Sequence, residues 1–301
     1  MREERPADPD HADLDRADPV GAGPVGAVPN DAVLIDPVRV GTVPDYTVPD
    51  YTAPDYPVHS AARARLVSDL DAAVTECRAC PRLVAWRETV AAAKRKSFHA
   101  WEYWGRPVPG FGPADAPLAV IGLAPAAHGG NRTGRAFTGD ASGDVLYAAL
   151  HAIGVATQPT ATALDDGLEL SGVRISMPVH CAPPDNKPTV AERDTCLPWL
   201  ERELDLMRPT LRAVVALGLF AWQALLPVLA TAGWQIPRPR PKFGHGAHVT
   251  LKDSGAGRVL HLFGCYHPSQ RNVFTGTLTP AMLEDVLRRA AEFGGLRGPA
   301  C

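Results

Sequence analysis

An α/β fold with a mainly parallel, doubly wound sheet is predicted by three observations. Four short apolar runs, at 118–123, 173–179, 211–217 and 259–263, alternate poorly, as strands covered on both faces do. Helical patterns lie between and after them, at 142–153, 189–207, 219–229 and 279–292. Polar, glycine-rich segments follow Leu123, Val179 and Phe263. Strand–helix alternation winds a sheet with helices on both faces. Ligands of such sheets bind beyond the carboxyl ends of the strands, so a site is expected in those three segments.

The elements follow in order. Residues 1–60 carry 10 of the 30 prolines and few large apolar side chains, and Pro-Asp-Tyr recurs in tandem after Val43. Such a segment cannot bury enough surface to offset its ordering entropy. It is expected to be a disordered, Pro/Asp-rich acidic tail of unknown partner, with 61–301 the folded domain. Ser60 can cap a helix that bears Leu66, Leu70, Ala73 and Val74 at helical spacing. The run 118–123 passes through a glycine-rich segment into the helix at 142–153. Thr189 and Glu192 form a capping-box pattern at the start of 189–207, and Pro198 should kink or split that helix. The runs 211–217 and 259–263 lead into the helices at 219–229 and 279–292.

The 301 residues suffice for one large domain or two small ones. No apolar stretch is long enough to span a bilayer, and the acidic N-terminus lacks the apolar core of a secretory signal. A cytoplasmic protein with no membrane partner is the expectation. In that compartment the six cysteines suit metal binding or catalysis better than disulfides. The net charge of −3 is uneven: residues 1–60 hold 12 acidic and 4 basic side chains, the other 241 hold 21 and 26. A mildly basic body permits a polyanion partner.

Three motifs carry chemistry. Cys77 and Cys80 form C-x2-C, and Cys181 and Cys196 form a wide second pair. Thiolates so arranged suit zinc or an iron–sulfur cluster, and the wide second pair favours the cluster. Cys265 reads as an unrelated buried thiol and Cys301 as a loose terminal one. The second motif is GLAPAAHGGNRTGRAFTGDASG, from Gly122, whose glycines let backbone N–H groups approach an anion or a base edge. No Gly-Lys-Ser/Thr closes it, so it is not a P-loop. Arg132 and Arg135 could hold phosphates. Asp140 is its one carboxylate, and helix N-capping is the plainer use of an Asp there. The third motif is CYHPSQRNVFTGTLT, from Cys265. His267 precedes Pro268, so its backbone is biased to extended and its ring is held at the sheet edge. The Ser-Gln-Arg-Asn-Val-Phe loop beside it, with Gln270, Arg271 and Asn272, could contact or wedge a duplex.

Together these motifs, with CAPPDNKPT and the approach segment RPVPGFG, resemble the B-type (family 5) uracil-DNA glycosylases, from about Cys77 to the last helix. The resemblance implies an α/β/α sandwich, three layers about a mainly parallel four-stranded sheet. It implies hydrolysis of the N-glycosidic bond of uracil, and of other deaminated bases, in DNA, by a monomer. Cys77, Cys80, Cys181 and Cys196 would ligate a structural [4Fe-4S] cluster. Phe137 matches the aromatic on which the extruded base stacks, and Asn186 the asparagine that reads its edge. Asp140 matches the acidic residue serving the water or the sugar cation, and His267 the histidine of the second signature. Backbone N–H groups around Gly122 and Ala124 would help bind the base. Three rivals stay open: a uracil-DNA binding protein without turnover, a zinc-stabilised nucleotide hydrolase, and an interaction protein acting through its tail. The segment GGNRTGRAF lacks the basic, histidine-bearing insert of a trapping branch, which disfavours the first of them.

Overall fold

A computed structural model describes residues 60–253, 255 and 257–296. Residues 1–59 of the expected tail, and Cys301, lie outside the described residues. In chain order the elements are α1 (Ser60–Thr75), α2 (Pro81–Ala93), β1 (Leu118–Ile121), α3 (Gly130–Thr133), α4 (Ala141–Ala152), β2 (Val173–Ser176), α5 (Val190–Met207), β3 (Ala213–Leu217), α6 (Leu219–Thr231), β4 (Trp234–Gln235), β5 (His248–Asp253), β6 (Val259–Cys265), α7 (Gln270–Phe274) and α8 (Pro280–Phe293).

The four predicted strands are β1, β2, β3 and β6. They form a parallel set in the order β2-β1-β3-β6; β5 adds antiparallel to β6 and β4 antiparallel to β5, so the sheet has six strands rather than the four expected. Strand residues alternate between two cores. Leu118, Val120, Val215 and Phe263 pack with the buried faces of α4 and α8. Ala119, Ile121, Val214 and Leu262 pack with α5 and α6. Helix, sheet and helix thus make the expected three layers. No helix among the described residues is long and apolar enough to cross a membrane.

Helix starts follow local chemistry. Thr189 Oγ1 accepts from the Glu192 N–H at 3.1 Å and Glu192 Oε2 accepts from the Thr189 N–H at 2.7 Å, a closed capping box. The helix it starts is not split at Pro198: α5 runs unbroken to Met207. Pro198 and Asp194, whose carbonyl loses its donor, are both exposed, so water can satisfy that carbonyl. A second correction concerns the Ser-Gln-Arg-Asn-Val-Phe segment, which is the short helix α7 rather than a loop, with Ser269 Oγ accepting from the Asn272 N–H at 3.3 Å. The approach segment is pinned from beneath: Arg174 of β2 donates to Gly112 O at 2.7 Å and pairs with Asp71 of α1 and Glu203 of α5. A Cβ at Gly110 would stand 2.1 Å from Glu203 Oε1, which is why that turn needs glycine.

Candidate active site

Loops leaving β1, β2 and β6 at their carboxyl ends enclose one cavity of about 540 Å³, open to solvent. Leu123 and Ala124 come from the first loop, Phe137, Asp140 and Ser142 from its far end, Asn186 from the second, and His267 from the third. Phe137, Asp140, Asn186 and His267 therefore share one space, as the sequence motifs imply.

Phe137 is buried, and its ring centroid lies 5.9 Å from that of His267. Its φ of 52° is left-handed, a strained conformation for an aromatic residue. The ring rests against Gly122, where a Cβ would meet two ring carbons at 2.7 Å. The Gly122 N–H donates to Ser176 O at 2.9 Å, so Gly122 supports the Phe137 ring through its missing side chain and does not donate into the cavity as expected. Among the described residues the N–H groups of Leu123 and Ala124 meet no protein acceptor.

Asp140 is both N-cap and cavity wall. Its Oδ1 accepts from Ser142 N–H and Gly143 N–H, each at 3.0 Å. Its Oδ2 lies over Gly129, where a Cβ would approach to 2.1 Å. Burial raises the Asp140 carboxyl above its ordinary value, opposed by those two N–H groups and by the charge of Arg132. Burial also pushes His267 down to about 4 from 6.5, so its imidazole is neutral at neutral pH. Asn186 ends a 3-10 turn (Pro184–Asn186) and is exposed into the cavity, with φ 52°, a conformation Asn tolerates.

The basic residues divide. Arg132 is 4% and Arg135 2% exposed, so neither reaches for phosphate as expected. Arg132 donates to His128 O and Gly139 O, and its guanidinium sits 4.0 Å and 4.2 Å from the rings of Phe98 and Trp101. Arg135 pairs with Asp166 at 2.7 Å and donates to Thr138 Oγ1. Both brace the loop that carries Phe137 and Asp140. Asn272 also turns inward, donating from Nδ2 to His267 O at 2.9 Å. Gln270 and Arg271 are exposed at the cavity mouth, where DNA contact was expected.

The four motif cysteines line a second, small apolar pocket. Cys77 follows α1, Cys80 caps α2, Cys181 follows β2 and Cys196 lies in α5. Arg87, unmarked in the sequence, donates to Cys181 Sγ at 2.9 Å and to Cys77 O at 3.1 Å. No three His, Cys, Asp or Glu among the described residues are placed to hold a single metal ion. The four thiols face one apolar pocket, and their soft donor set suits an iron–sulfur group. Two links join this centre to the large cavity. Ala124 packs in one apolar cluster with Cys80, Leu83 and Cys181. Arg82 of α2 grips both Glu192 oxygens at 2.7 Å and reaches Lys187 O at 3.3 Å, next to Asn186. Cys265, as expected, is an isolated buried thiol, pushed up to about 12 by burial.

A family profile described as the uracil DNA glycosylase superfamily matches residues 109–291. A protein named type-5 uracil-DNA glycosylase from Mycobacterium tuberculosis (strain CDC 1551 / Oshkosh) is 53% identical over 236 residues, covering 78% of this chain and 85% of that one. One of the same name from Thermus thermophilus is 48% identical over 223 residues, 74% and 96% of the two chains. A type-4 uracil-DNA glycosylase from Pyrobaculum aerophilum is 30% identical over 169 residues, 56% and 74%.

Proposed function

This chain belongs to the type-5 branch of the uracil DNA glycosylase superfamily, and we infer that it excises uracil from DNA with Phe137, Asp140, Asn186 and His267 as its working groups. The reaction is a repair hydrolysis that leaves an abasic site. The observation that carries the residue assignment is the shared cavity at the strand ends.

A uracil inside a duplex must be everted, at a cost of a few kcal/mol. Stacking on Phe137 returns about 1–3 kcal/mol. The Asn186 amide offers one donor and one acceptor, which match uracil O4 and N3–H and mismatch cytosine. As the C1′–N1 bond lengthens, electrons move onto the base and positive charge grows on the sugar. The neutral His267 ring and the N–H groups of Leu123 and Ala124 then donate to the developing anion at O2, oxyanion-hole logic. Asp140, its Oδ1 fixed by two N–H groups, keeps Oδ2 for the sugar cation and the incoming water. Other deaminated bases are substrates in this reading, because the cavity is larger than a pyrimidine requires.

Cys77, Cys80, Cys181 and Cys196 would hold a [4Fe-4S] cluster in this reading. When bound it supplies a covalent brace rather than chemistry at the base. The brace joins α1, α2 and α5 to the loop bearing Asn186, and Ala124 packs against it. A visible charge-transfer band with iron and acid-labile sulfide supports the cluster; zinc with a colourless protein excludes it.

The decisive experiment incubates the protein with end-labelled duplexes containing uracil, hypoxanthine or xanthine. Free base and alkali-sensitive sites are expected. Retained DNA with no released base overturns the enzyme reading in favour of a non-turnover binding protein.

A further inference from the structure

We propose that Arg238, Arg240 and Lys242 form a rigid cationic strip that holds the phosphate backbone of the DNA flanking the everted nucleotide, an assignment that rests on the glycosylase reading above. Between Asp205 and Asp253 the chain carries six basic residues and no acidic one. Three of the six crowd into Ile-Pro-Arg-Pro-Arg-Pro-Lys-Phe, residues 236–243, which join β4 to β5. All three are exposed, and among the described residues none of them pairs with a carboxylate. By contrast, Arg82, Arg135 and Arg174 each hold one. Exposed charges are ordinary on a protein surface, so their placement must decide.

Strand register supplies that placement. His248 of β5 stands opposite Phe263 of β6, so the chain just before His248 runs beside Gly264 and Cys265, at the carboxyl end where the cavity opens. Gly246 N–H donates to Gly264 O and Gly264 N–H to Ala247 O, each at 2.8 Å. A Cβ at Gly264 would stand 2.5 Å from Gly244 O, so the segment lies close along β6. Trp222 of α6 donates from Nε1 to Pro241 O at 3.1 Å. The Phe243 ring stands 6.0 Å from that of Trp222 and 6.2 Å from that of Tyr266, the residue before His267. Tyr266 leads directly through His267 to α7, so the strip and Arg271 belong to the same end of the sheet. Prolines at 237, 239 and 241 fix φ between the cations, so little freedom is lost when they bind. Guanidinium and ammonium groups held in this way suit the oxygens of successive phosphates.

Binding to a long duplex carrying 2′-fluorinated deoxyuridine, measured across a range of salt, tests the proposal. The fluorine destabilises the sugar cation, so the base stays in place while affinity is read. Each neutralised phosphate adds about 0.9 to the slope of log affinity against log salt. A triple variant, Arg238→Gln with Arg240→Gln and Lys242→Gln, should therefore flatten that slope by about 2.7 and bind about tenfold or more weakly in 0.1 M salt. Its release of uracil from saturating natural duplex, its release from a trinucleotide too short to reach the strip, and its Tm should match wild type. Arg238→Lys with Arg240→Lys keeps the charge and should keep the slope. An unchanged slope in the triple variant, or equal losses on duplex and trinucleotide, overturns the strip. Wild-type protein that binds the duplex with the expected slope but releases no uracil from any substrate overturns the glycosylase reading instead.

Discussion

Replacing Gly122 with alanine tests whether the position of the Phe137 ring, and not merely its presence, sets the rate. The new Cβ would stand 2.7 Å from Phe137 Cε2 and Cζ, where ordinary contact begins at 3.4 Å, so the ring must retreat by at least 0.7 Å. Met177 Cγ stands 3.5 Å from that Cβ, so the new methyl group sits between two packed side chains and the ring is the one that must move. A misplacement of about 1 Å can cost roughly a hundredfold, so a loss of ten- to a hundredfold in single-turnover uracil release is expected. Overpacking should cost about 1–3 kcal/mol, and each 1 kcal/mol lowers Tm by about 2–4 °C in a domain of this size. The assay pairs single-turnover rates with thermal denaturation for Gly122→Ala, Phe137→Leu and the double variant. A smaller side chain at 137 removes the clash, so the double variant should be no slower than Phe137→Leu alone. A normal rate in a destabilised Gly122→Ala protein, or strictly additive losses, refutes the stacking platform.

Asp140→Asn keeps an N-cap of equal quality, so Tm should change little while single-turnover cleavage falls at least a hundredfold; a wild-type rate removes Asp140 from the chemistry. With the His267 value near 4, glycosylase activity should hold through pH 6.5 and fall only as pH approaches that value, and an acid limb near 6.5 in kcat/KM would contradict the buried, neutral ring. The same depression means the unfolded chain takes up this proton first, so stability is lost as pH falls from about 6.5 towards 4. Burial alone would raise Asp166, but Arg135 and three backbone N–H groups hold it well below the carboxylate range; its contribution is present above about pH 3.9 and lost in stronger acid. Arg135→Met should cost roughly 3–5 kcal/mol in urea unfolding by leaving Asp166 without its cation and should move acid unfolding to higher pH; a change under about 1 kcal/mol would show the pair to be dispensable.

The parallel half of the sheet was legible because strands buried on both faces must be continuously apolar, as β1 and β3 are. The antiparallel edge was not: β4 has two residues, and β5, His-Val-Thr-Leu-Lys-Asp, mixes polar and apolar side chains on a half-exposed strand. Asp140, Phe137, Asn186 and His267 sit in long motifs, so resemblance could mark them, and one cavity now contains all four. Arg132 and Arg135 read as phosphate contacts because a local sequence presents arginine as a solvent-seeking cation. What buries Arg132 lies some thirty residues upstream, in Phe98 and Trp101, and what neutralises Arg135 lies 31 residues downstream, in Asp166. Arg82 and Arg87 left no signal at all, since their partners, Glu192 and Cys181, are 110 and 94 residues away. Only the fold makes them neighbours.

The left-handed backbone at Phe137 has a consequence for anyone who evolves this protein. A bulky residue there forgoes about 1–2 kcal/mol that glycine would keep, so the native sequence carries a penalty at the very position proposed to receive the nucleobase. Glycine at 137 would relieve that strain but give up the burial of a ring packed in the main core, about 3–5 kcal/mol, so packing outweighs strain and holds the aromatic residue in place. Variants altered at this residue should therefore lose melting temperature and turnover together, and a loss of one alone would separate the strain from the packing.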